Sequence, residues 1–131
     1  MKIAICFWGL TRSLKFTIES LQDKLFLPLE KHNIQFDKFI HTFYFDGLYS
    51  NKHGNEKNIK LDFDEYKLLN PDYFLKENQD EVIKNIDFSK YEFNNTVYNN
   101  KTTFRNAILA QYSMKKVTEL VENTKIKYDY L

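Results

Sequence analysis

Ile3-Ala4-Ile5-Cys6-Phe7-Trp8-Gly9 opens the chain with an unbroken apolar run that stops on a glycine. A strand exposed on one face alternates apolar and polar residues, whereas a run without alternation is the pattern of a parallel strand covered on both faces. The opening strand is therefore expected to be central in its sheet. Gly9 breaks it, and Thr11 or Ser13 can cap a helix directly after it. Leu14, Ile18, Leu21, Leu25 and Leu29 then recur at helical spacing, with Lys15, Glu19, Gln22 and Asp23 facing outward. Pro28 is expected to kink this helix or restart it as a second piece. Residues 36–45, rich in Phe, Ile, Thr and Tyr, make a second strand centred on Phe39-Ile40-His41-Thr42-Phe43. Strand, helix and strand form one βαβ unit, whose crossover hand places the two strands parallel in one sheet. The fold class is α/β with a mainly parallel sheet.

Beyond that unit the pattern is less regular. Residues 46–60 are polar, contain Gly47 and Gly54, and read as an exposed loop. Residues 64–69 form a short helical turn stopped by Asn70-Pro71. Tyr73-Phe74-Leu75 is expected to be a third strand and residues 79–86 another short helix. Residues 88–101, dense in Asn, Tyr and Phe without either period, read as a loop with aromatic anchors. Thr102 or Thr103 then caps a long helix with a seam of Phe104, Ala107, Ala110, Met114, Val117 and Val121, and with Lys115, Lys116, Glu119 and Glu122 outside. Tyr128-Asp129-Tyr130-Leu131 reads as the start of a further strand. The single domain, spanning residues 1–131, is thus expected to be incomplete at its carboxyl end, finished by more chain or by another chain.

At 131 residues the chain has the size of one domain, able to bury about 68–70% of its unfolded surface. A net charge of +1 with interspersed signs gives no electrostatic footprint for nucleic acid or an anionic membrane. Cys6 is the only cysteine, which excludes a disulfide framework and a thiolate metal cluster within the chain. The opening run is interrupted by Thr11-Arg12-Ser13, lacks a small-residue cleavage site and is too short to span a bilayer. A cytoplasmic protein is expected. Positive charge is supplied by lysine except at Arg12 and Arg105, so the fork geometry of a guanidinium is expected to be used there.

Trp8-Gly9-Leu10-Thr11-Arg12-Ser13 lies where open α/β sheets place ligands, at the carboxyl end of the first strand. Gly9 permits close backbone approach, the N-terminus of the next helix favours an anion, Arg12 can fork onto phosphate oxygens and Trp8 can stack on a base. The same residues also read as a tight turn, a cap and a surface cation. His41 is a candidate ligand contact or acid-base group, or else a hydrogen-bonded rim residue. His32 and His53 show no metal-ligand spacing with it. Asp62-Phe63-Asp64 matches the D-x-D carboxylate pair of metal-dependent sugar transferases, but it precedes a helical turn instead of ending a buried strand. Capping by Asp62 or Asp64 is the expected role, and no metal site is assigned. The sequons at Asn94 and Asn100 carry no weight in a cytosolic, Asn-rich chain. Gln111 and Ser113 flank the long helix's seam, either satisfying backbone or facing a site. Arg105, in a first helical turn, points to an acidic neighbour or a phosphate.

Four stretches in succession carry a resemblance: residues 2–9 with Arg12, residues 39–43, Gln111-Tyr112-Ser113-Met114-Lys115-Lys116, and Tyr128-Asp129-Tyr130-Leu131. Together they resemble a family of bacterial and viral glycosyltransferases of the nucleotide-diphospho-sugar type along essentially the whole chain. The resemblance implies a Rossmann-like three-layer fold, a nucleotide-sugar donor, a glycan or other hydroxyl acceptor, and Mg²⁺ or Mn²⁺ held by ligands outside this chain. It implies that Gly9 and Arg12 contact the donor diphosphate, with Trp8, Thr11, Ser13, His41, Gln111 and Ser113 lining the same site. Two departures stand out: Trp8 replaces a small residue, and the family's Arg-Pro-Asp element is not among these residues. The alternative is a non-catalytic α/β module that binds a nucleotide or a partner chain.

Overall fold

The computed structural model describes residues 1–51, 54–91 and 101–131, and for 101–103 the backbone alone. In chain order it forms β1 (Lys2–Trp8), α1 (Leu14–Leu21), α2 (Leu27–Lys31), β2 (Gln35–Tyr44), β3 (Tyr49–Asn51), β4 (Glu56–Ile59), β5 (Tyr73–Asn78), α3 (Gln79–Asn85) and α4 (Lys101–Asn123). A π-helical stretch, Gln22–Phe26, joins α1 to α2, and 3₁₀ turns occupy Glu65–Leu69 and Phe88–Tyr91. Residue 53 and residues 92–100, with the Asn94 and Asn100 sequons, lie outside the described residues, as do the side chains of Thr102 and Thr103.

β1, β2 and β5 form one parallel sheet in the order β1-β2-β5, with β1 and β2 in register from Lys2 opposite Gln35 to Trp8 opposite His41. The expected βαβ pairing and the third strand are both present. The central position, however, belongs to β2 and not to β1. Residues 39–43 are buried without interruption, whereas only Ala4 is buried in β1. The apolar run of β1 reflects helices on both faces, which says nothing about how many strands flank it. Along its outer edge β1 meets a single parallel bridge, Ile3 to Tyr130, where the Ala4 N–H donates to Tyr130 O at 3.0 Å and the Asp129 N–H to Lys2 O at 2.9 Å. The residues expected to begin a strand therefore do lie strand-like beside β1.

Successive residues of β2 feed opposite layers, as pleating requires. Phe39 packs with Ala4, Val117 and Val121 under α4, and Phe43 with Val82 and Leu109. Ile40 packs with Phe26, Tyr66 and Leu69 on the α1 face. Each such side chain contributes about 1.5–3 kcal/mol on full burial.

Three expectations need correction. Leu14, Ile18, Leu21 and Leu25 do pack toward the sheet, but the π stretch inserts an extra residue, so Phe26, five after Leu21, is the buried anchor in place of Leu29. The restart expected at Pro28 is present: a second short piece, α2, holds the proline in its first turn. On α4 the inward row is Leu109, Ser113, Val117 and Val121, while Ala107, Ala110, Met114 and Gln111 face solvent. A polar Ser occupies the row because His41 receives it, so an apolar pattern alone selects the wrong stripe. Residues 46–60 are not a plain loop: β3 and β4 pair antiparallel, Tyr49 opposite Ile59 and Asn51 opposite Glu56. Polar contacts hold this hairpin, including the Asn58 N–H to Ser50 Oγ at 3.0 Å, and they leave no hydrophobic signature. Among the described residues no helix is long and apolar enough to cross a membrane.

Candidate functional site

The carboxyl ends of the parallel strands bring Trp8, Tyr44 and Asn78 to one edge of the sheet. β1 leaves that edge through Gly9 at φ +99°, a left-handed conformation that favours glycine. Its amide is shared between His41 O at 3.1 Å and Ser113 Oγ at 2.8 Å. The glycine thus locks the loop to β2 and α4 as well as exposing backbone beside it.

Arg12 comes next, on the α1 face. Its guanidinium pairs with Glu56 of β4 and lies 5.4 Å over the Tyr49 ring, so the hairpin holds it in place. Ser13 occupies the N-cap position of α1 but makes no capping bond; the buried Glu65 instead accepts the Lys15 N–H at 2.8 Å. A carboxylate brought from the 3₁₀ turn replaces the expected local cap and complements the helix dipole. In front of Arg12 a cleft of about 450 Å³ is lined also by Lys15, Phe16, Lys60, Asp62 and Asp64. A second hollow of about 500 Å³, lined by Tyr44, Phe63 and Lys76, shares the wall of Leu61, Asp62 and Asp64.

Asp62 and Asp64 lead into the 3₁₀ turn, with Asp64 at its N-cap position, but neither side chain makes the expected capping bond. Asp62 Oδ1 accepts the Asp64 N–H at 2.9 Å, while Asp64 pairs with Lys76 at 2.8 Å and Lys67 at 3.1 Å, bonds that hold its carboxyl below the ordinary range. Among the described residues no group of three or more His, Cys, Asp or Glu is placed to hold a metal.

On the α4 face lies a buried polar chain. Ser113 Oγ stands 2.6 Å from His41 Nδ1, and His41 Nε2 stands 2.8 Å from Glu77 Oε2. The Tyr112 hydroxyl donates to the same Glu77 oxygen at 3.1 Å. His41 and Ser113 are wholly buried, whereas the Glu77 side chain keeps 28% exposure. Burial pushes the His41 pKa below its ordinary value, against the pull of Glu77 and with the aid of the Lys116 charge. Burial and the Glu77 charge push the Tyr112 hydroxyl up.

The structure therefore joins Gly9, His41 and Ser113 from the expected set, and places Trp8, half exposed, beside them at the strand end. Arg12 stands apart on the α1 face, and Gln111 points to solvent. Thr11 Oγ1 is buried without a hydrogen-bond partner among the described residues. Arg105 lies 5.3 Å over the Phe88 ring. Sequence reasoning passed over Glu77, Tyr112, Glu56 and Glu65. Glu77 alone had a signal: it is the one carboxylate inside the Tyr73–Asn78 strand. No family model, curated protein or solved structure matches the chain.

Proposed function

We propose that the chain is the donor-binding domain, Rossmann-like in type, of a glycosyltransferase that uses a nucleoside-diphosphate sugar, with the diphosphate held in the cleft before Arg12. One observation carries the reading: at the carboxyl end of β1, Arg12 lines a concave space together with Lys15 and Lys60. Anions collect at such strand ends, and a guanidinium meets phosphate oxygens in a bidentate fork. An entering diphosphate takes the place of Glu56 on Arg12 while Tyr49 keeps the guanidinium plane. The acceptor hydroxyl attacks the anomeric carbon and the nucleoside diphosphate leaves. Leaving-group charge on this chain is met by Arg12, Lys15 and Lys60. Mg²⁺ or Mn²⁺ on the diphosphate would add to this positive charge, with ligands expected outside this chain.

Calorimetry with UDP and GDP tests the reading. Arg12→Ala is expected to weaken binding about ten- to a hundredfold, since a charge-assisted bond contributes about 1.5–3 kcal/mol. Arg12→Lys restores part of the loss, having charge without the fork. Glu56→Gln strengthens binding by removing the competing carboxylate. Equal affinity in all four proteins removes the cleft from the site. The second reading, a module that binds without transferring sugar, is favoured by the carboxylates already on Arg12 and on the Lys15 amide. Nucleotide binding without sugar release selects it.

A further inference from the structure

The polar chain on the α4 face runs in one direction. The Gly9 N–H donates to Ser113 Oγ, and the Ser113 hydroxyl has two acceptors in reach, His41 O at 3.3 Å and the nearer His41 Nδ1 at 2.6 Å, the nitrogen left free to accept when Nε2 carries the proton toward Glu77. With Nδ1 accepting, the neutral ring carries its proton on Nε2, and the tautomer is set by this second bond. Nε2–H then donates to Glu77 Oε2 at 2.8 Å, and the Tyr112 hydroxyl reaches the same oxygen at 3.1 Å. Every donor in the chain finds an acceptor, and all of them lead to one carboxylate. Glu77 Oε1 receives only the longer Tyr112 contact of 3.3 Å. It keeps acceptor capacity that the described residues do not fill, on the only partly exposed carboxylate of the network.

His41 and Ser113, at 0% exposure, cannot touch a ligand themselves. Their effect reaches solvent through Glu77, which stands two residues beyond Leu75, the partner of His41 in β5, at the carboxyl edge where ligands bind. The titratable groups facing the imidazole are Glu77 from β5 and Tyr112 and Lys116 from α4; Cys6, whose thiol burial pushes up, is the contribution of β1 to this face.

We propose that Glu77 is a catalytic base that takes the proton of a ligand hydroxyl on Oε1, with His41, Ser113 and Tyr112 as the positioning residues that fix its other oxygen. The identity of that hydroxyl as the sugar acceptor rests on the transferase reading above. In the step the ligand O–H bond breaks and its proton moves to Glu77 Oε1. The oxygen's electron pair forms the bond to the anomeric carbon, and the carbon–oxygen bond to the diphosphate breaks with its pair leaving on the nucleoside diphosphate.

Two measurements decide it. Ring ¹⁵N NMR of the whole chain should show His41 as the neutral Nε2–H tautomer at pH 7.5, and Glu77→Gln and Ser113→Ala should each change the ring's tautomer populations or shifts. An Nδ1–H tautomer, or a ring indifferent to Glu77→Gln, overturns the proposal whatever the protein binds. Release of sugar from UDP-glucose and GDP-mannose to water or glycerol is the second. Glu77→Gln should lower kcat at least about 100-fold with UDP and GDP affinity unchanged, and Ser113→Ala should lower it less while moving the pH profile. Nucleotide binding with undiminished turnover in Glu77→Gln overturns the base alone. A wild-type chain that neither binds nor turns over a sugar nucleotide overturns the transferase reading and the base with it.

Discussion

Ser113 sits in an otherwise apolar row of α4, and its hydroxyl answers two buried groups that are 104 and 72 residues away in sequence. Ser113→Ala leaves the Gly9 N–H with the shared His41 carbonyl alone and strips His41 Nδ1 of its donor. The expected loss is about 1–3 kcal/mol, read as a lower urea midpoint at unchanged slope. His41 makes a separate, pH-dependent contribution. Burial holds its folded pKa below the ordinary value despite Glu77, so between the folded and unfolded pKa values the unfolded chain binds more protons. Stability therefore rises with pH through that window and is lost as pH falls from about 6.5 toward the folded value. Thermal melts from pH 7.5 to 5 should show the loss, and His41→Gln should flatten it. Asp37 acts in a lower window: though part-buried, it is held below the ordinary carboxylate range by Lys2 and Tyr128, so its contribution is lost only as pH falls through that depressed value. At this scale the sequence marks His41 and Ser113 as rim or site residues. It does not join them, because no period or spacing links residues on different elements, and Glu77, though the one carboxylate of β5, lies beyond the Tyr73-Phe74-Leu75 stretch read as strand.

Among the elements, α1 depends on a remote partner for its start. Glu65→Ala should cost about 0.5–2 kcal/mol, the range for loss of an N-cap, and should speed exchange of the Lys15 amide in hydrogen-exchange NMR; unchanged exchange there contradicts the capping role. The local signal of Thr11 and Ser13 pointed to a cap within the loop, and a carboxylate 50 residues on supplies it instead. The same helix shows where periodicity fails. A 3.6-residue repeat continued through Gln22–Phe26 selects Leu29, and a single wide turn transfers burial to Phe26. On α4 the reason is different: burial of a hydroxyl moved the inward row off the most apolar stripe. The strands β1 and β2 were legible because parallel pairing under two helical layers demands apolar residues in succession, while β3 and β4 were not, since a polar-held hairpin makes no such demand.

Across the whole molecule, a three-stranded parallel sheet centred on β2 separates two faces that meet at one carboxyl edge: the Arg12 cleft under α1, and the His41–Glu77 chain under α4. Binding of a nucleoside diphosphate at that edge, through the cleft, is tested most directly by titrating UDP and GDP into ¹⁵N-labelled protein. The expected result is saturable shifts of the amides of residues 9–15 and 60–64, lost in Arg12→Ala. Saturable shifts confined to residues away from that edge, such as 117–131, or no shifts with either nucleotide at millimolar concentration, would contradict it.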